Sequence, residues 1–167
     1  TYLIISSDHS NAVIYIDDKQ VGIKEASRRF NIGTTHTWRI ECNMYHTESG
    51  TVTLNDRVEI SKTLRPAFGY VQVSTQPEEG AMVYVDDEYV GNSPIKTGKL
   101  KSGTHTVRVV KDMYQITEEK VVVKDGQTTI SKINMSANYV DVTIIAEAET
   151  NIYVDEEYKG KGKWSGR

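Results

Sequence analysis

Ala81-Met82-Val83-Tyr84-Val85-Asp86-Asp87-Glu88-Tyr89-Val90-Gly91 is a stretch that the chain writes three times. Residues 13–22 read Val-Ile-Tyr-Ile-Asp-Asp-Lys-Gln-Val-Gly, and residues 151–160 read Asn-Ile-Tyr-Val-Asp-Glu-Glu-Tyr-Lys-Gly. Tyr15, Tyr84 and Tyr153 stand 69 residues apart, as do Asp17, Asp86 and Asp155, and Gly22, Gly91 and Gly160. Self-similarity at a fixed period marks an internal repeat. The 167 residues therefore divide into a first copy over 1–67, a second over 68–137 and the truncated start of a third over 138–167.

Each stretch predicts a β-hairpin, because β-branched residues alternate with others up to an acidic pair and the alternation then resumes. A two-residue turn needs positive φ, which Gly adopts most easily and Asp tolerates. With Asp86-Asp87 as the turn, Val85 faces Glu88, Tyr84 faces Tyr89 and Val83 faces Val90, since directly opposite residues share a face. The valines then point inward and the two tyrosines outward.

Working outward, a short apolar strand precedes each hairpin: Tyr2-Leu3-Ile4-Ile5, Tyr70-Val71-Gln72-Val73 and Tyr139-Val140-Asp141-Val142. A polar break follows it, Thr75-Gln76-Pro77-Glu78-Glu79-Gly80 in the second copy, where Pro and Gly punctuate the chain. Asn92 to Gly98 reads as a loop. Beyond it, Thr104-His105-Thr106-Val107-Arg108-Val109 matches Thr35-His36-Thr37-Trp38-Arg39-Ile40 and alternates as a half-buried strand does. Further strands are expected over 52–54, 58–64, 121–123 and 128–135. That gives about six short strands per copy with no helix-period segment, an all-β chain of tandem small antiparallel β-sandwiches of the immunoglobulin-like kind. The links Arg65-Pro66-Ala67-Phe68-Gly69 and Ser136-Ala137-Asn138 are too short and too poor in Gly and Ser for flexible tethers, so the copies are expected to abut in a stiff rod.

A net charge of −3 and a pI near 5.8 provide no basic excess for nucleic acid. No apolar run approaches the roughly twenty residues of a membrane helix. The single cysteine, Cys42, excludes an intramolecular disulfide framework, and its parity with Trp38 and Ile40 predicts a structural thiol on the inward face.

The residues of the second copy carry a resemblance. Val73-Ser74-Thr75-Gln76-Pro77-Glu78-Glu79-Gly80-Ala81-Met82-Val83-Tyr84-Val85-Asp86-Asp87, then Val90-Gly91-Asn92-Ser93-Pro94 and Gly103-Thr104-His105-Thr106-Val107, resemble the PEGA domain of bacterial and archaeal surface proteins. The likeness covers the second copy and extends more weakly to the other two. The sequence departs from the family in an extra Glu within Pro77-Glu78-Glu79-Gly80-Ala81 and in Asp18, Asp87 and Glu156, which stand where a Gly is expected at the hairpin tip. The resemblance implies a noncatalytic β-sandwich module, akin to surface-layer proteins and found beside other domains in exported proteins, with the tandem style of Bacteroidota surface proteins. It implies an extracytoplasmic location, at the outer membrane or cell surface, and no cofactor, metal or catalytic residue to carry over.

Several residues invite a functional reading. His36 and His105 recur one per copy, each alone on an apolar face, and read as structural histidines bonded to loop backbone; no base, acid and nucleophile converge with them. The acidic tips lack the staggered oxygen spacing of a calcium loop and read as solvated turns. The alternating Lys and Gly of residues 159–163 lack the strand-to-helix setting of a phosphate loop. The outward pairs Tyr84/Tyr89 and Tyr153/Tyr158, reduced to Tyr15/Gln20 in the first copy, are the candidate binding residues, since a tyrosine ring offers a broad apolar face with a polar tip. Their plainer reading is a cross-strand pair that steadies its own hairpin by about 0.5 kcal/mol. The expected function is a non-enzymatic stalk or protein-interaction scaffold. A carbohydrate-binding or adhesin-type module is the alternative, and the expected partners are other protein domains or surface polysaccharide.

Overall fold

The computed structural model describes residues 1–167 and contains β-strands without helices. The first seven are β1 (Tyr2–Ser7), β2 (Val13–Ile16), β3 (Lys19–Ile23), β4 (Glu25–Arg29), β5 (Thr35–Glu41), β6 (Glu48–Thr53) and β7 (Val58–Lys62). They form one sheet in the order β6-β5-β2-β3-β4-β1-β7. The ladder turns a corner between β3 and β4, where pairing shrinks to Ile23 against Glu25 and Lys24 takes a φ of 66°. On either side of that corner lie a four-strand layer, β6-β5-β2-β3, and a three-strand layer, β4-β1-β7. Leu3 and Ile5 of β1, Ile14 and Ile16 of β2, Ala26 of β4, and Trp38 and Ile40 of β5 bury together with Leu54 and Leu64 as one core. The period-2 burial that the sequence predicts is followed along β1, β2 and β5.

The next eight strands are β8 (Phe68–Gln76), β9 (Met82–Val85), β10 (Glu88–Asn92), β11 (Ile95–Lys96), β12 (Leu100–Lys101), β13 (Gly103–Val110), β14 (Thr117–Val123) and β15 (Thr128–Asn134). One sheet runs β10-β9-β13-β14, the same order as β3-β2-β5-β6, and another runs β11-β8-β12 with β15 also paired to β8. Phe68, Val71, Val73, Val83, Val85, Val107, Val109, Val121, Val123 and Ile133 are the buried apolar residues of these strands. The last four strands, β16 (Val142–Ile145), β17 (Asn151–Val154), β18 (Glu157–Lys161) and β19 (Lys163–Gly166), form two pairs, β16-β19 and β17-β18.

The all-β expectation is met. Two details differ from the sequence reading. Strands β4, β11 and β12 fall in stretches without alternating hydrophobics, where Ala26 is the one buried apolar side chain, so periodicity gave no signal for them. The ladder of β1 with β7 is parallel, and β7 lies on the side of β1 away from β4.

By backbone proximity the chain falls into two compact units. One comprises residues 1–72, 96–105 and 121–131; the other comprises 73–95, 106–120 and 132–167.

Candidate functional site

The three hairpins are the recurring feature, and their geometry is the same. Both turn residues are left-handed in each: Asp17 and Asp18 at φ 49° and 59°, Asp86 and Asp87 at 48° and 68°, Asp155 and Glu156 at 50° and 67°. Two positive φ values define the type I′ turn, whose twist matches that of the strands it joins. The structure thus forms the favoured turn with acidic residues where Gly or Asn is usual. Tyr84 pairs with Tyr89 and Val85 with Glu88, as the alternation predicts. Beyond them the ladder slips, and Val83 faces Gly91 rather than Val90. The same bulge sets Ile14 against Gly22 and Ile152 against Gly160. A bulge places two residues opposite one and sharpens the local twist. The glycine has a spatial reason as well: at Gly91 (φ 136°) a Cβ would lie 2.2 Å from Ile95 Cδ1, and at Gly22 it would lie 2.5 Å from the Glu25 carbonyl oxygen.

The first two hairpins are clasped from the side by the strand that follows. Strand β5 lies antiparallel to β2, with Tyr15 opposite Arg39 and Ile16 opposite Trp38. Strand β13 lies against β9 in the same way, with Tyr84 opposite Arg108 and Val85 opposite Val107. Each guanidinium covers the ring it faces, at 4.4 Å for Arg39 on Tyr15 and 4.3 Å for Arg108 on Tyr84. Each also reaches the second turn carboxylate, Arg39 to Asp18 at 3.1 Å and Arg108 to Asp87 at 3.5 Å. The first turn carboxylate works on the backbone. Asp17 Oδ1 accepts the Thr37 N–H and Asp86 Oδ1 the Thr106 N–H, both at 3.0 Å. In return the N–H of Asp17 donates to the Thr37 carbonyl at 3.0 Å, and that of Asp86 to the Thr106 carbonyl at 2.9 Å.

The acidic tip is exposed, as its reading as a solvated turn has it, and in the first two copies it is also a clasp, which the sequence reading did not foresee. The signal lay in Asp followed at a constant distance by Thr-His-Thr. His36 belongs to the same clasp: Nδ1 donates to Asp17 Oδ2 at 2.6 Å, Nε2 lies 2.8 Å from Thr34 Oγ1, and the ring packs on Phe30 with centroids 3.9 Å apart. The bond from His36 and the Thr37 N–H hold the Asp17 carboxyl below the usual carboxylate range. His105 Nε2 donates to the Lys101 carbonyl at 2.6 Å, a backbone bond as expected, though its acceptor belongs to β12 rather than to a loop. His36 differs from that expectation because its ring reaches a carboxylate rather than a carbonyl.

The candidate tyrosines lie where the alternation puts them. The Tyr84 and Tyr89 rings are 5.6 Å apart, as are those of Tyr153 and Tyr158. Tyr89 is 54% exposed, Tyr153 58% and Tyr158 54%, whereas Tyr84 is half-buried under Arg108. Tyr89 Oη donates to Asn92 Oδ1 at 2.8 Å. Cys42 is half-buried against the first core rather than fully inside it.

The extra Glu of the Pro77-Glu78-Glu79-Gly80 turn also has structural partners. Glu79 Oε2 accepts the N–H and the hydroxyl of Thr75 at 3.0 and 3.1 Å, while Thr75 Oγ1 lies 2.6 Å from Ser93 Oγ in a buried cluster. Glu78 Oε1 accepts from the Tyr114 hydroxyl at 2.7 Å and from Arg167 at 3.0 Å. The Tyr114 hydroxyl and the Arg167 guanidinium hold the Glu78 carboxyl below its usual range.

The links after residues 64 and 135 share a second arrangement. At the first, His46 N–H donates to the Arg65 carbonyl and Ala67 N–H to the Met44 carbonyl, both at 2.9 Å, making a bridge between Tyr45 and Pro66. At the second, Gln115 N–H donates to the Ser136 carbonyl at 2.9 Å and Asn138 N–H to the Met113 carbonyl at 2.8 Å, making a bridge between Tyr114 and Ala137. Met44 and Met113 hold the left-handed turn that presents these groups, at φ 65° and 68°. Aromatic rings flank both links. Tyr45 meets Phe68 edge-on at 5.6 Å, and Tyr114 meets Tyr139 edge-on at 5.7 Å. Beside the first, His46 Nε2 donates to Asp125 Oδ2 at 2.6 Å.

Comparison with known proteins bears on this geometry as follows. No curated protein matches the chain. Among solved structures, the chain is similar to GBS52, the minor pilin of the gram-positive pathogen Streptococcus agalactiae, at 10% identity and a TM-score of 0.46 over 81% of this chain and 95% of that one. It is similar to the Bacillus anthracis TIE protein at 15% identity and a TM-score of 0.42, over 81% of this chain and 34% of that one. A streptococcal ancillary pilin aligns at 12% identity and a TM-score of 0.35, over 81% of this chain and 62% of the other. The stretch with the clasped second hairpin and its two-glutamate turn, residues 68–138, matches the model of the PEGA domain family.

Proposed function

We propose that the chain is a non-catalytic, surface-exposed module in which PEGA-like sandwiches, 1–67 and 68–137, follow one another with a further part at 138–167 and act as a stalk or protein-interaction scaffold. The observation that carries this reading is the pinned link. Two backbone hydrogen bonds and an edge-on aromatic pair recur at both links, and a link held this way resists the swinging that a tether permits. The match of 68–138 to the PEGA domain supports a surface location outside the cytoplasm. The ionisable groups support a structural role: Asp17, Asp86, His36, Glu78 and Glu79 are all engaged in holding loops or strands. Small-angle scattering of the purified chain tests the stalk. One defined set of distances is expected; a spread of distances typical of a flexible tether would overturn it.

A second reading is favoured by the exposed rings. Tyr153 and Tyr158 stand more than half exposed with their rings side by side, the disposition of an aromatic platform for a sugar ring or an adhesin contact. A glycan array with the chain and its Tyr153→Ser/Tyr158→Ser variant tests this. Binding that the variant loses at unchanged melting temperature supports the carbohydrate reading, with Tyr84 and Tyr89 as the next residues to replace.

A further inference from the structure

The outer face of β2, β5 and β6 carries a feature of the first copy that the second does not repeat. Pairing across these strands sets Thr35 opposite Thr53, Thr37 opposite Thr51, and Tyr15, Arg39 and Ser49 in one row. Alternation puts these rows on the side away from the core that holds Trp38 and Ile40. A groove of about 360 Å³, also lined by Asp18, runs between the Thr37–Thr51 row and the Tyr15–Arg39–Ser49 row. The Trp38–Gly50 pair lies between the two rows with the Trp38 ring turned to the core, so main chain floors the groove. Comparison at the repeat distance of 69 separates what the fold requires of this lining from what it does not. Tyr15, Asp18, Thr37 and Arg39 recur as Tyr84, Asp87, Thr106 and Arg108 and serve the clasp in both copies. Ser49, Thr51 and Thr53 do not recur: Glu118, Lys120 and Val122 stand in their places on β14. The outermost strand thus forms without the hydroxyls, and from this we infer that the groove on the first copy is a binding site for a neutral oligosaccharide.

The chemistry of the lining selects that ligand. Arg39 is fixed between two carboxylates, with Nη1 3.1 Å from Asp18 Oδ1 and Nε 2.8 Å from Glu41 Oε1, which leaves Nη2 to donate into the groove. A planar guanidinium held in this way presents its remaining donors in a fixed direction. Asp18 keeps Oδ2 as an acceptor, and Thr37, Ser49 and Thr51 add hydroxyls that both donate and accept. Each hydroxyl of a sugar likewise donates and accepts, so a pair of them can meet the guanidinium on one wall and a Thr hydroxyl on the other. The charges disfavour ionic ligands. Asp18 in the lining repels an anion and Arg39 a cation, while Asp18 and Glu41 together offset the guanidinium, so no net positive field draws a carboxylate or phosphate. The volume is within the range of small-molecule sites. The inference rests on the carbohydrate reading for its class of ligand and puts the site on the first copy rather than on the tyrosine pairs. It is independent of the stalk reading.

The test is an array of neutral gluco-, manno- and galacto-oligosaccharides beside uronate- and sialate-bearing ones, probed with the full chain and followed by NMR titration of the labelled chain with the strongest neutral binder. Saturable binding of a neutral oligosaccharide is expected, with shifts centred on residues 37–39 and 49–51. The variant Ser49→Glu/Thr51→Lys/Thr53→Val writes onto β6 the residues with which β14 already forms, and is expected to weaken binding at least about tenfold at unchanged melting temperature. Thr51→Val keeps the β-branched shape, removes one hydroxyl and should weaken binding about threefold to fivefold. Failure to bind any neutral oligosaccharide, preference for the acidic glycans, equal binding by both β6 variants, or shifts outside the groove would each overturn the inference. Binding that Tyr153→Ser/Tyr158→Ser abolishes and the β6 variants leave intact would also overturn it while supporting the tyrosine reading; loss in the β6 variants alone supports the groove.

Discussion

The first two hairpins and the third share turn, bulge and tyrosine position, yet only the first two are held from the side by a Thr-His-Thr strand. The difference separates what ten residues specify locally from what the rest of the chain must add. The type I′ turn and the bulge at the glycine form in all three, so they belong to the hairpin sequence itself. The aspartate cap, the arginine over the tyrosine and the second layer of buried apolar residues belong to the partner strand. The third hairpin keeps the acidic tip without the groups that engage it in the others.

That contrast can be broken or sharpened by substitution. The largest effect is expected in the core. Ile14→Ala removes a fully buried side chain packed with Ile40 and Trp38 and should cost about 3 kcal/mol by chemical denaturation. Its counterpart Ile152→Ala should cost less than about half as much, because no strand brings the equivalents of Ile40 and Trp38 beside β17. Equal losses would show that the side strand adds little to hairpin burial.

The cap comes next. Asp17→Ala leaves the Thr37 N–H and His36 without their acceptor and should cost about 1–2 kcal/mol, while Asp155→Ala should stay within about 0.5 kcal/mol. Matching effects at the two positions would place the value of the aspartate in the turn rather than in the clasp.

Smaller and of opposite sign is the tip itself. A non-glycine residue in the left-handed region is strained, so Glu156→Gly should stabilise by about 0.5–1 kcal/mol. Asp18→Gly gains the same relief but gives up the Arg39 ion pair, and thermal melts should find it near neutral.

Acidification gives the gentlest comparison. The folded Asp17 carboxyl titrates below its ordinary value of 3.8, so its contribution is fully present above that value and is lost as pH falls through the lower folded one. Glu78 and Glu79 act in the same direction. Melting temperatures of the wild-type chain should therefore fall below about pH 4, and Asp17→Asn should flatten part of that fall.

Much of the fold was legible because alternation is a local signal. The hairpins, the strands before the first two and the Thr-His-Thr strand show period 2 and formed where they were read, whereas the strand read over 139–142 lies at Val142–Ile145. Strand β4 carries Glu25-Ala26-Ser27-Arg28-Arg29, whose pairing to β1 comes from main-chain bonds and one buried Ala, so hydropathy could not reveal it. The parallel return of β7 is a matter of topology that no single stretch encodes. The slip of register at Val90 recurs at each hairpin glycine and is a departure from strict alternation that hydropathy does not mark. At the candidate site, the outward tyrosines were read correctly from parity. The meaning of the acidic pair was not, because a turn carboxylate and the N–H it accepts lie 20 residues apart at Asp17 and Thr37.

The stalk reading turns on how stiff the two links are, and that can be measured directly. Spin labels at Asn31 and Lys120, both exposed, in a Cys42→Ser background report the distance across the first link by pulsed electron paramagnetic resonance. The account predicts one narrow distance peak, no wider than that of a control pair at Asn31 and Asp56 within residues 1–67. A broad distribution spanning tens of ångströms, with the control pair still narrow, would contradict it.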